Sequence, residues 1–411
     1  MVSDLLQPAS ERARPGRFLP YSRQCLDAAD EQAVLQVLRS DRLTQGPQIE
    51  AFEAALAERA GARHAVAVCN GTAALHLAAQ ALGVETGTPA AVPAVTFAAT
   101  ANAVRYCGGE VAFAEVDNVS GLSTADMLEQ ALHLARQRGN AGRRGLLMPV
   151  SLNGRVPDLS AVAELAEQHN CDVIEDAAHS LGAAYAAGPR RFSSGCCAHS
   201  MAAILSFHPV KHICCGEGGA VLTNDAVLAE KMRALRSHGI VRPRTNGEST
   251  PSWFYDQIDL GHNYRMTEIQ AALALSQLRK LPDFSMQRGR LAARYHKHLK
   301  GAPYDPIFQL PPATEGHSWH LFALRFHKES VRDRAVDWLK AQGIGTQVHY
   351  RPVHTLRYYR ERYGAQHLPG AELYGQSCLS LPLFPGLTDE EQDWVIKALK
   401  HFCEEVLSTT D

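Results

Sequence analysis

Lys211 is the residue of this chain whose setting most clearly predicts chemistry. It is the only lysine in an otherwise uncharged stretch at 206–215, and a glycine-rich turn follows at 216–219. A lysine amine that loses hydration in such a stretch shifts toward its uncharged form, which is the nucleophile. The chemistry that most needs such an amine is Schiff-base formation, with a carbonyl substrate or with pyridoxal phosphate. Taken alone, Lys211 fits an ordinary loop lysine as well, so the rest of the chain has to decide.

A turn that binds an anion is predicted at Asn70-Gly71-Thr72, between a short apolar stretch and a helical pattern. Gly71 permits a tight turn, and the free N–H groups of the helix start, with the Thr72 hydroxyl, form a cradle for an anion. The phosphate of pyridoxal phosphate would suit this cradle. A simple helix cap is the alternative interpretation.

An acidic pair, Glu175-Asp176, stands at the end of the predicted strand 171–175. Pyridoxal phosphate withdraws electrons best when its ring nitrogen is protonated, and a carboxylate beside that nitrogen keeps the proton on. Asp176 is the candidate for this role, and His179 is expected near the cofactor ring. An N-cap for the turn that follows is the alternative role of Asp176.

Three weaker signals belong to the same constellation. Phe97 follows another predicted strand and is placed to stack on a cofactor face, although aromatic residues at such positions more often belong to the core. Ser206 precedes Lys211 by five residues and offers a hydroxyl to the phosphate. The segment 262–265, His-Asn-Tyr-Arg, stands just before an apolar helix and fits a capped loop equally well.

An alternation of apolar strands and amphipathic helices positions these residues. The predicted strands are seven, at 65–69, 90–95, 111–116, 145–151, 171–175, 201–207 and 220–223. The predicted helices between them lie at 73–82, 98–106, 124–137, 159–169 and 226–238. Such alternation predicts a mainly parallel sheet covered by helices on both faces. Ligands bind at the carboxyl ends of the strands in sheets of this kind, where the candidate residues stand.

A chain of 411 residues is long for a single core, so we expect two domains. The pattern changes near 261–266, after which we predict helices at 267–281, 330–342 and 388–405 and strands at 319–326 and 346–350. We therefore predict a loose N-terminal arm at 1–17, a large α/β domain at 18–265 and a small C-terminal α+β domain at 266–411.

The overall composition is that of an ordinary enzyme, with 45% hydrophobic and 20% charged residues and a formal net charge of −2. This balance gives no electrostatic reason to expect nucleic acid or an anionic membrane surface as a partner. No apolar run approaches the roughly 20 residues of a membrane span, and the first residues lack the apolar segment of a secretory signal. We expect a cytoplasmic protein.

The ten cysteines are expected to be small buried hydrophobes. Cys196-Cys197 and Cys214-Cys215 are adjacent pairs, unlike the two-residue-spaced pairs of zinc sites. We therefore assign no metal ligands. A metal site in the region 196–215, which also contains three histidines, stays open as an alternative.

Four motifs in order carry a family resemblance: Asn-Gly-Thr-Ala-Ala-Leu at 70–75, Glu-Asp-Ala-Ala-His at 175–179, Ser-Phe-His-Pro-Val-Lys at 206–211 with the turn at 216–219, and Gly-His-Asn-Tyr-Arg-Met at 261–266. From about residue 18 to 402, the chain resembles the DegT/DnrJ/StrS family of nucleotide-sugar aminotransferases. The resemblance implies the type I fold of pyridoxal-phosphate transferases, in which a large domain with a mainly parallel seven-stranded sheet precedes a smaller α+β domain.

The resemblance also implies roles for individual residues and a homodimer with shared active sites. Lys211 would form the Schiff base with pyridoxal 5'-phosphate, and Asp176 would pair with its ring nitrogen. Family members that act as dehydratases carry histidine in place of this lysine, so Lys211 argues against that activity. The remaining cofactor contacts would come from Gly71, Thr72 and Ser206 at the phosphate, Phe97 against the ring, and Asn263 reaching the phosphate from the neighbouring subunit.

Further segments, among them 20–22, 43–46 and 347–352, are similar to the branch of the family that acts in pseudaminic acid biosynthesis. That branch aminates C4 of a UDP-linked 4-keto-6-deoxy-N-acetylhexosamine with L-glutamate, which leaves as 2-oxoglutarate. Candidate substrate-binding residues, from sequence position only, are His238, His349, Tyr350 and Arg351. Two alternatives stay open: the same chemistry on another keto sugar nucleotide, as in bacillosamine or perosamine formation, and a regulator that binds the cofactor without turnover.

Overall fold

The computed structural model of the chain describes residues 18–242, 251 and 253–408. The predicted arm at 1–17 lies outside the described residues. In chain order the strands are β1 (His64–Val68), β2 (Pro89–Pro93), β3 (Glu110–Ala114), β4 (Gly145–Leu147), β5 (Cys171–Asp176), β6 (Ala184–Ala187), β7 (Arg190–Ser193), β8 (Ala202–Ser206), β9 (Gly219–Thr223), β10 (Ile240–Val241), β11 (Asp256–Gln257), β12 (Phe308–Gln309), β13 (Phe322–Phe326) and β14 (Cys378–Leu381).

Helices separate most of these strands. They are α1 (Ala28–Leu38), α2 (Pro47–Ala60), α3 (Gly71–Ala81), α4 (Ala99–Tyr106), α5 (Ala125–Arg138), α6 (Leu159–Gln168), α7 (Ala226–Leu235), α8 (Glu268–Arg279), α9 (Leu281–Leu299), α10 (Glu329–Ala341), α11 (Arg357–Tyr363), α12 (Pro369–Ser377) and α13 (Asp389–Ser408). None of the helices among the described residues combines the length and apolarity that crossing a membrane requires.

Within the described residues, seven strands form the central sheet, in the order β1-β9-β8-β5-β4-β2-β3. The five strands from β8 to β3 pair in parallel, and β9 runs antiparallel to both of its neighbours. This arrangement confirms the predicted α/β fold with a mainly parallel seven-stranded sheet. Because β5 and β8 are parallel neighbours, their carboxyl ends bring Asp176 and Ser206 to the same edge of the sheet.

The sheet is buried on both faces, which explains why its strands are apolar throughout rather than alternating. Val92, Ile174 and Val221 pack with α3, α4 and α7 on one face. On the other face, Ala91 and Val173 pack with α5 and α6.

A second sheet of three antiparallel strands, in the order β12-β13-β14, lies in the C-terminal part of the described chain. Helices α9, α10 and α13 cover it, and Phe322, Leu324 and Leu379 lie in their shared core. Leu19 belongs to the same core, so the start of the described chain packs on its C-terminal part.

Several predicted elements differ from the observed ones. The strand predicted at 145–151 ends at Leu147, and the strand predicted at 319–326 begins at Phe322. The helix predicted at 267–281 ends at Arg279, and a second helix, α9, begins at Leu281. The predicted strand at 346–350 is wrong, since only an isolated bridge between Gln347 and Ser380 forms there. The domain division at 265/266 stays a prediction, and α8 packs beside α1 and α2 through residues such as Ala271.

Candidate active site

A cavity of about 790 Å³ opens at the carboxyl ends of β5 and β8, beside the first turn of α3. Most of the predicted site residues line it together: Gly71, Thr72, Phe97, Asp176, His179, Ser206, Lys211, His349 and Tyr350. These residues come from five separate parts of the chain, so the fold itself assembles the group.

Lys211 is the amine of this cavity. It lies in the turn after β8, where its backbone N–H donates to the His208 carbonyl oxygen at 2.8 Å. Burial lowers the pKa of Lys211 from 10.5 to about 8, while the negative charge of Asp176 acts in the opposite direction. An amine with this pKa is partly uncharged near neutral pH and can act as a nucleophile or a base.

Asp176 ends β5 and is almost fully buried. Its carboxylate accepts hydrogen bonds from Thr100 Oγ1 at 2.7 Å and from the Ala178 backbone N–H at 3.2 Å. Burial raises the pKa of Asp176, and these hydrogen bonds and the charge of Lys211 lower it again. Among the described residues no ion pair neutralises this carboxylate, so a cationic group in the cavity would stabilise it.

The start of α3 provides the anion cradle. Asn70 caps the helix, because its Oδ1 accepts from the Ala73 N–H at 2.8 Å, and the N–H groups of Gly71 and Thr72 stay available to an anion. A Cβ on Gly71 would lie 2.9 Å from Ser206 Cβ and 3.2 Å from Ser206 Oγ. Only glycine therefore allows the Ser206 hydroxyl this close to the helix start.

Aromatic side chains surround the remaining space. His179 Nε2 lies 3.1 Å from the Tyr350 hydroxyl, and the Phe97 and Tyr350 rings are 6.1 Å apart. Phe97 is 60% exposed, which places it at the mouth of the cavity. His349 Nδ1 is fixed by Ser380 Oγ at 2.9 Å, and the Tyr21 ring lies 5.3 Å from the His349 ring.

Three predicted site residues do not line the cavity. His238 and Asn263 are exposed and lie on adjacent backbone segments, with the His238 N–H bonded to the His262 carbonyl oxygen. The Arg351 side chain turns away and donates to Thr355. Their roles stay predictions.

The sequence reasoning did not single out Thr100, Tyr21 or Gln347, although all three line the cavity. Thr100 had a usable signal, because it stands in the helix that directly follows a predicted strand. Tyr21 and Gln347 stand in two of the segments that resemble one branch of the family, 20–22 and 347–352, and this similarity was the signal that could have marked them.

The cysteines lie outside this chemistry. All ten are free thiols, and burial raises the pKa of Cys214 to about 11. Among the described residues, one group of three side chains could hold a metal ion: Glu129, His133 and His169. None of them belongs to the region 196–215, where the alternative metal site was considered.

Residues 24–400 match the family model of the DegT/DnrJ/EryC1/StrS aminotransferases. The chain belongs to this family. The predicted family resemblance is thereby confirmed over most of the chain, and with it the aminotransferase class.

Solved structures agree with this assignment. PseC of Helicobacter pylori, an aminotransferase involved in the biosynthesis of pseudoaminic acid, is 29% identical with a TM-score of 0.85, covering 95% of this chain and 100% of that chain. DesV of S. venezuelae is 32% identical with a TM-score of 0.80, covering 94% and 99%. The putative sugar aminotransferase Spr1654 of Streptococcus pneumoniae, in its PLP form, is 25% identical with a TM-score of 0.84, covering 95% and 99%.

The protein is a sugar aminotransferase that uses pyridoxal phosphate. The cavity fits this cofactor at both of its ends. The buried Asp176 carboxylate lacks a cationic partner that a protonated ring nitrogen would supply, and the glycine at position 71 lets the Ser206 hydroxyl stand beside the helix start, so that both can bind one phosphate.

Proposed function

We propose that this enzyme transfers the amino group of L-glutamate to C4 of a UDP-linked 4-keto-6-deoxy-N-acetylhexosamine, a step of pseudaminic acid biosynthesis. The product would be UDP-4-amino-4,6-dideoxy-N-acetyl-β-L-altrosamine. The observation that carries the proposal is the meeting of Lys211, Asp176 and the start of α3 in one cavity. The similarity to PseC along nearly the whole of both chains supports the choice of sugar.

The cofactor, when bound, supplies an aldehyde carbon that carries the amino group between the substrates and a ring that accepts electrons from the broken C–H bond. Lys211 Nζ would hold the aldehyde in the resting enzyme. As a free amine, Nζ would take the proton from the α-carbon of L-glutamate and, in the second half of the reaction, would give a proton to C4 of the sugar. Its pKa of about 8 suits both tasks, because an appreciable fraction of each protonation state is present near neutral pH.

Asp176 would hold the proton on the ring nitrogen, and the Thr100 and Ala178 donors keep its carboxylate oriented. Gly71, Thr72 and Ser206 would hold the phosphate. Holding the cofactor at both ends would keep the bound substrate within reach of Lys211 Nζ, which would favour proton transfer.

The proposed sugar site is the cavity wall formed by Tyr350, His349 and Gln347, with Tyr21 beside them. The Gln347 amide makes no side-chain hydrogen bond among the described contacts, so it stays available to a sugar hydroxyl or an N-acetyl group.

A second copy of the chain is proposed to complete the site. Among the described residues that line the cavity there is no arginine, whereas the substrate brings a diphosphate. Close to Asn263 in sequence, Ile258 and Leu260 are 63% and 76% exposed, as expected for an apolar contact surface. We infer a homodimer in which Asn263 of one subunit reaches the phosphate in the other.

We place the enzyme in the cytoplasm, where ten free thiols stay reduced.

The substrate test uses purified enzyme, ¹⁵N-labelled L-glutamate and enzymatically prepared 4-keto sugars on UDP, dTDP and GDP. We expect 2-oxoglutarate and a ¹⁵N-amino sugar in equal amounts from the UDP-linked N-acetylated sugar, with the configuration at C4 and C5 read by NMR. Turnover confined to another sugar nucleotide would assign the same chemistry to a different pathway and refute the proposed substrate.

The shared site is tested by complementation between two inactive variants. Lys211→Ala and Asn263→Ala dimers are dissociated, mixed and reassociated. After reassociation, half of the dimers contain one subunit of each variant. In each of these dimers one of the two sites has both native residues, so about a quarter of wild-type activity should return. An active monomer, or no recovery from the mixture, would contradict the proposed dimer.

A further inference from the structure

The two ring nitrogens of His179 have unequal surroundings. Nε2 lies 3.1 Å from the Tyr350 hydroxyl, whereas Nδ1 is buried and has no hydrogen-bond partner in the described part of the chain. Burial holds the pKa of His179 well below its usual value, so the ring is neutral and carries one proton. The position of this proton decides whether His179 donates to Tyr350 or accepts from it. The other titratable groups that act on the ring are Lys211, His349 and His212, and each of them disfavours a second proton.

His320 packs directly against His179. The ring centroids are 4.2 Å apart and the planes are tilted by 41°. The Nδ1 atom of His320 is also buried without a partner, and no hydrogen bond joins the two rings among the described contacts. A proton on His179 Nδ1 would therefore be a buried N–H group without an acceptor, which proteins avoid more strictly than a buried lone pair. The proton belongs on Nε2.

Backbone anchors fix the position of His320. Arg288 Nη1 donates to the His320 carbonyl oxygen at 3.1 Å and to the Trp319 carbonyl oxygen at 3.3 Å. The Ser318 hydroxyl lies 3.5 Å from the His179 carbonyl oxygen, which ties the segment to the turn that carries His179. These backbone contacts hold the segment that carries His320 beside the turn that carries His179.

We propose that His320 is a positioning residue: it offers His179 no acceptor at Nδ1, so that His179 donates from Nε2 to Tyr350 and the Tyr350 hydroxyl hydrogen is left for a substrate oxygen. The oxygen is of the carbonyl or carboxylate class, as found in the keto sugar and in L-glutamate. The identity of this oxygen rests on the proposed function. The direction of the hydrogen bond between His179 and Tyr350 does not depend on it. Burial raises the pKa of Tyr350, so its hydroxyl keeps its hydrogen.

The direction of the bond is read by ¹⁵N NMR of the full-length enzyme, labelled at histidine and measured with and without cofactor. A His179→Gln sample identifies the His179 signals. We expect the proton on Nε2 in the wild type and in His320→Phe, which also lacks an acceptor. In His320→Asn the side-chain carbonyl accepts from Nδ1, so the proton should move there. A wild-type proton on Nδ1, or an unchanged tautomer in His320→Asn, would overturn the proposal.

The consequence for the substrate is tested by a double-mutant cycle. Tyr350→Phe and His320→Asn should each raise the KM for the keto sugar or for L-glutamate by about tenfold, because each removes the same donated hydrogen bond. In the double variant the increase should be no larger than in Tyr350→Phe alone. If the KM increase of the double variant equals the product of the two single increases, His320 does not act through Tyr350 and the proposal is refuted. If the wild type does not turn over the proposed sugar, the substrate assignment fails while the NMR result still stands.

Discussion

Thr100 Oγ1 lies 2.7 Å from Asp176 Oδ2, although the two residues are 76 positions apart in the sequence. Thr100 has one hydroxyl hydrogen, and the charged carboxylate is its strongest acceptor. Thr96 Oγ1, 2.7 Å from Thr100 Oγ1, can then donate to Thr100 in turn. A short chain of hydroxyl groups therefore supports the carboxylate that is proposed to hold the cofactor ring.

Thr100→Val should weaken this support without changing the size of the side chain much. The loss of one hydrogen bond to a charged acceptor costs about 1.5–3 kcal/mol, so the pKa of Asp176 should rise further and the enzyme should hold the protonated cofactor less tightly. We expect kcat to fall by at least tenfold and the dissociation constant of pyridoxal phosphate to rise.

Thr100→Ser is the matched control, because it keeps the hydroxyl and removes only a methyl group. Its kcat should stay within a few-fold of the wild type. If the valine and serine variants lose activity equally, packing of the methyl group and not the hydrogen bond to Asp176 is responsible.

The uptake of cofactor by the cofactor-free enzyme should follow the protonation of Lys211. The pKa of Lys211 is lowered by burial to about 8, and only the uncharged amine attacks an aldehyde. The rate of uptake should therefore fall about tenfold per pH unit below pH 8 and level off above it. Stopped-flow absorbance during reconstitution measures this rate.

Lys231 provides the control lysine, since its Nζ bonds the Ala81 carbonyl oxygen away from the cavity. Lys231→Ala should show the same pH profile as the wild type. Borohydride reduction should attach the cofactor to Lys211 in the wild type and to no peptide in the Lys211→Ala variant. A wild-type rate that keeps rising to pH 10 would mean that Lys211 has an ordinary pKa.

The sequence predicted the parts of the site that depend on neighbouring residues. Asn70 and Gly71 mark a helix start by their own chemistry, Asp176 is the last residue of a strand, and Lys211 lies in the turn that follows another. These signals need no tertiary contact, so the mainly parallel sheet and the candidate residues for both cofactor ends could be predicted from local pattern and family motifs.

The parts that were missed depend on long-range contacts. At the α8–α9 junction, Lys280 makes ion pairs with Asp30 of α1 and with Asp27, the residue that caps α1, and Pro282 stands in the first turn of α9. The strand predicted at 346–350 forms only one bridge, to Ser380, whose hydroxyl also holds His349. No local pattern reports on partners this distant.

Gly71→Ala should separate cofactor binding from folding. The new methyl group would lie 2.9 Å from Ser206 Cβ, so the Ser206 side chain or the helix start has to shift away from the phosphate position. We expect a folded protein with a dissociation constant for pyridoxal phosphate at least tenfold higher, measured by fluorescence titration.

Gly289→Ala is the control for a glycine replaced by alanine. Gly289 lies within α9 and has open space around it, so this variant should gain about 0.5–1 kcal/mol of stability and keep its cofactor affinity. Equal cofactor affinity in Gly71→Ala and the wild type would remove the helix start from the proposed phosphate site.

Glu268→Gln should destabilise the fold at a point remote from the chemistry. The buried Glu268 carboxylate accepts the backbone N–H groups of Gly46, Gln48 and Ile49 at 2.9, 2.7 and 3.3 Å, and so neutralises the start of α2. Glutamine loses the charge and turns an NH₂ group toward backbone donors, so we expect a loss of about 1–3 kcal/mol, seen as a lower urea midpoint in tryptophan fluorescence. The exposed Glu50 of the same first turn is the control, and Glu50→Gln should lose less than about 0.5 kcal/mol. Equal midpoints for the two variants would show that the buried carboxylate contributes no more than a surface charge near a helix end.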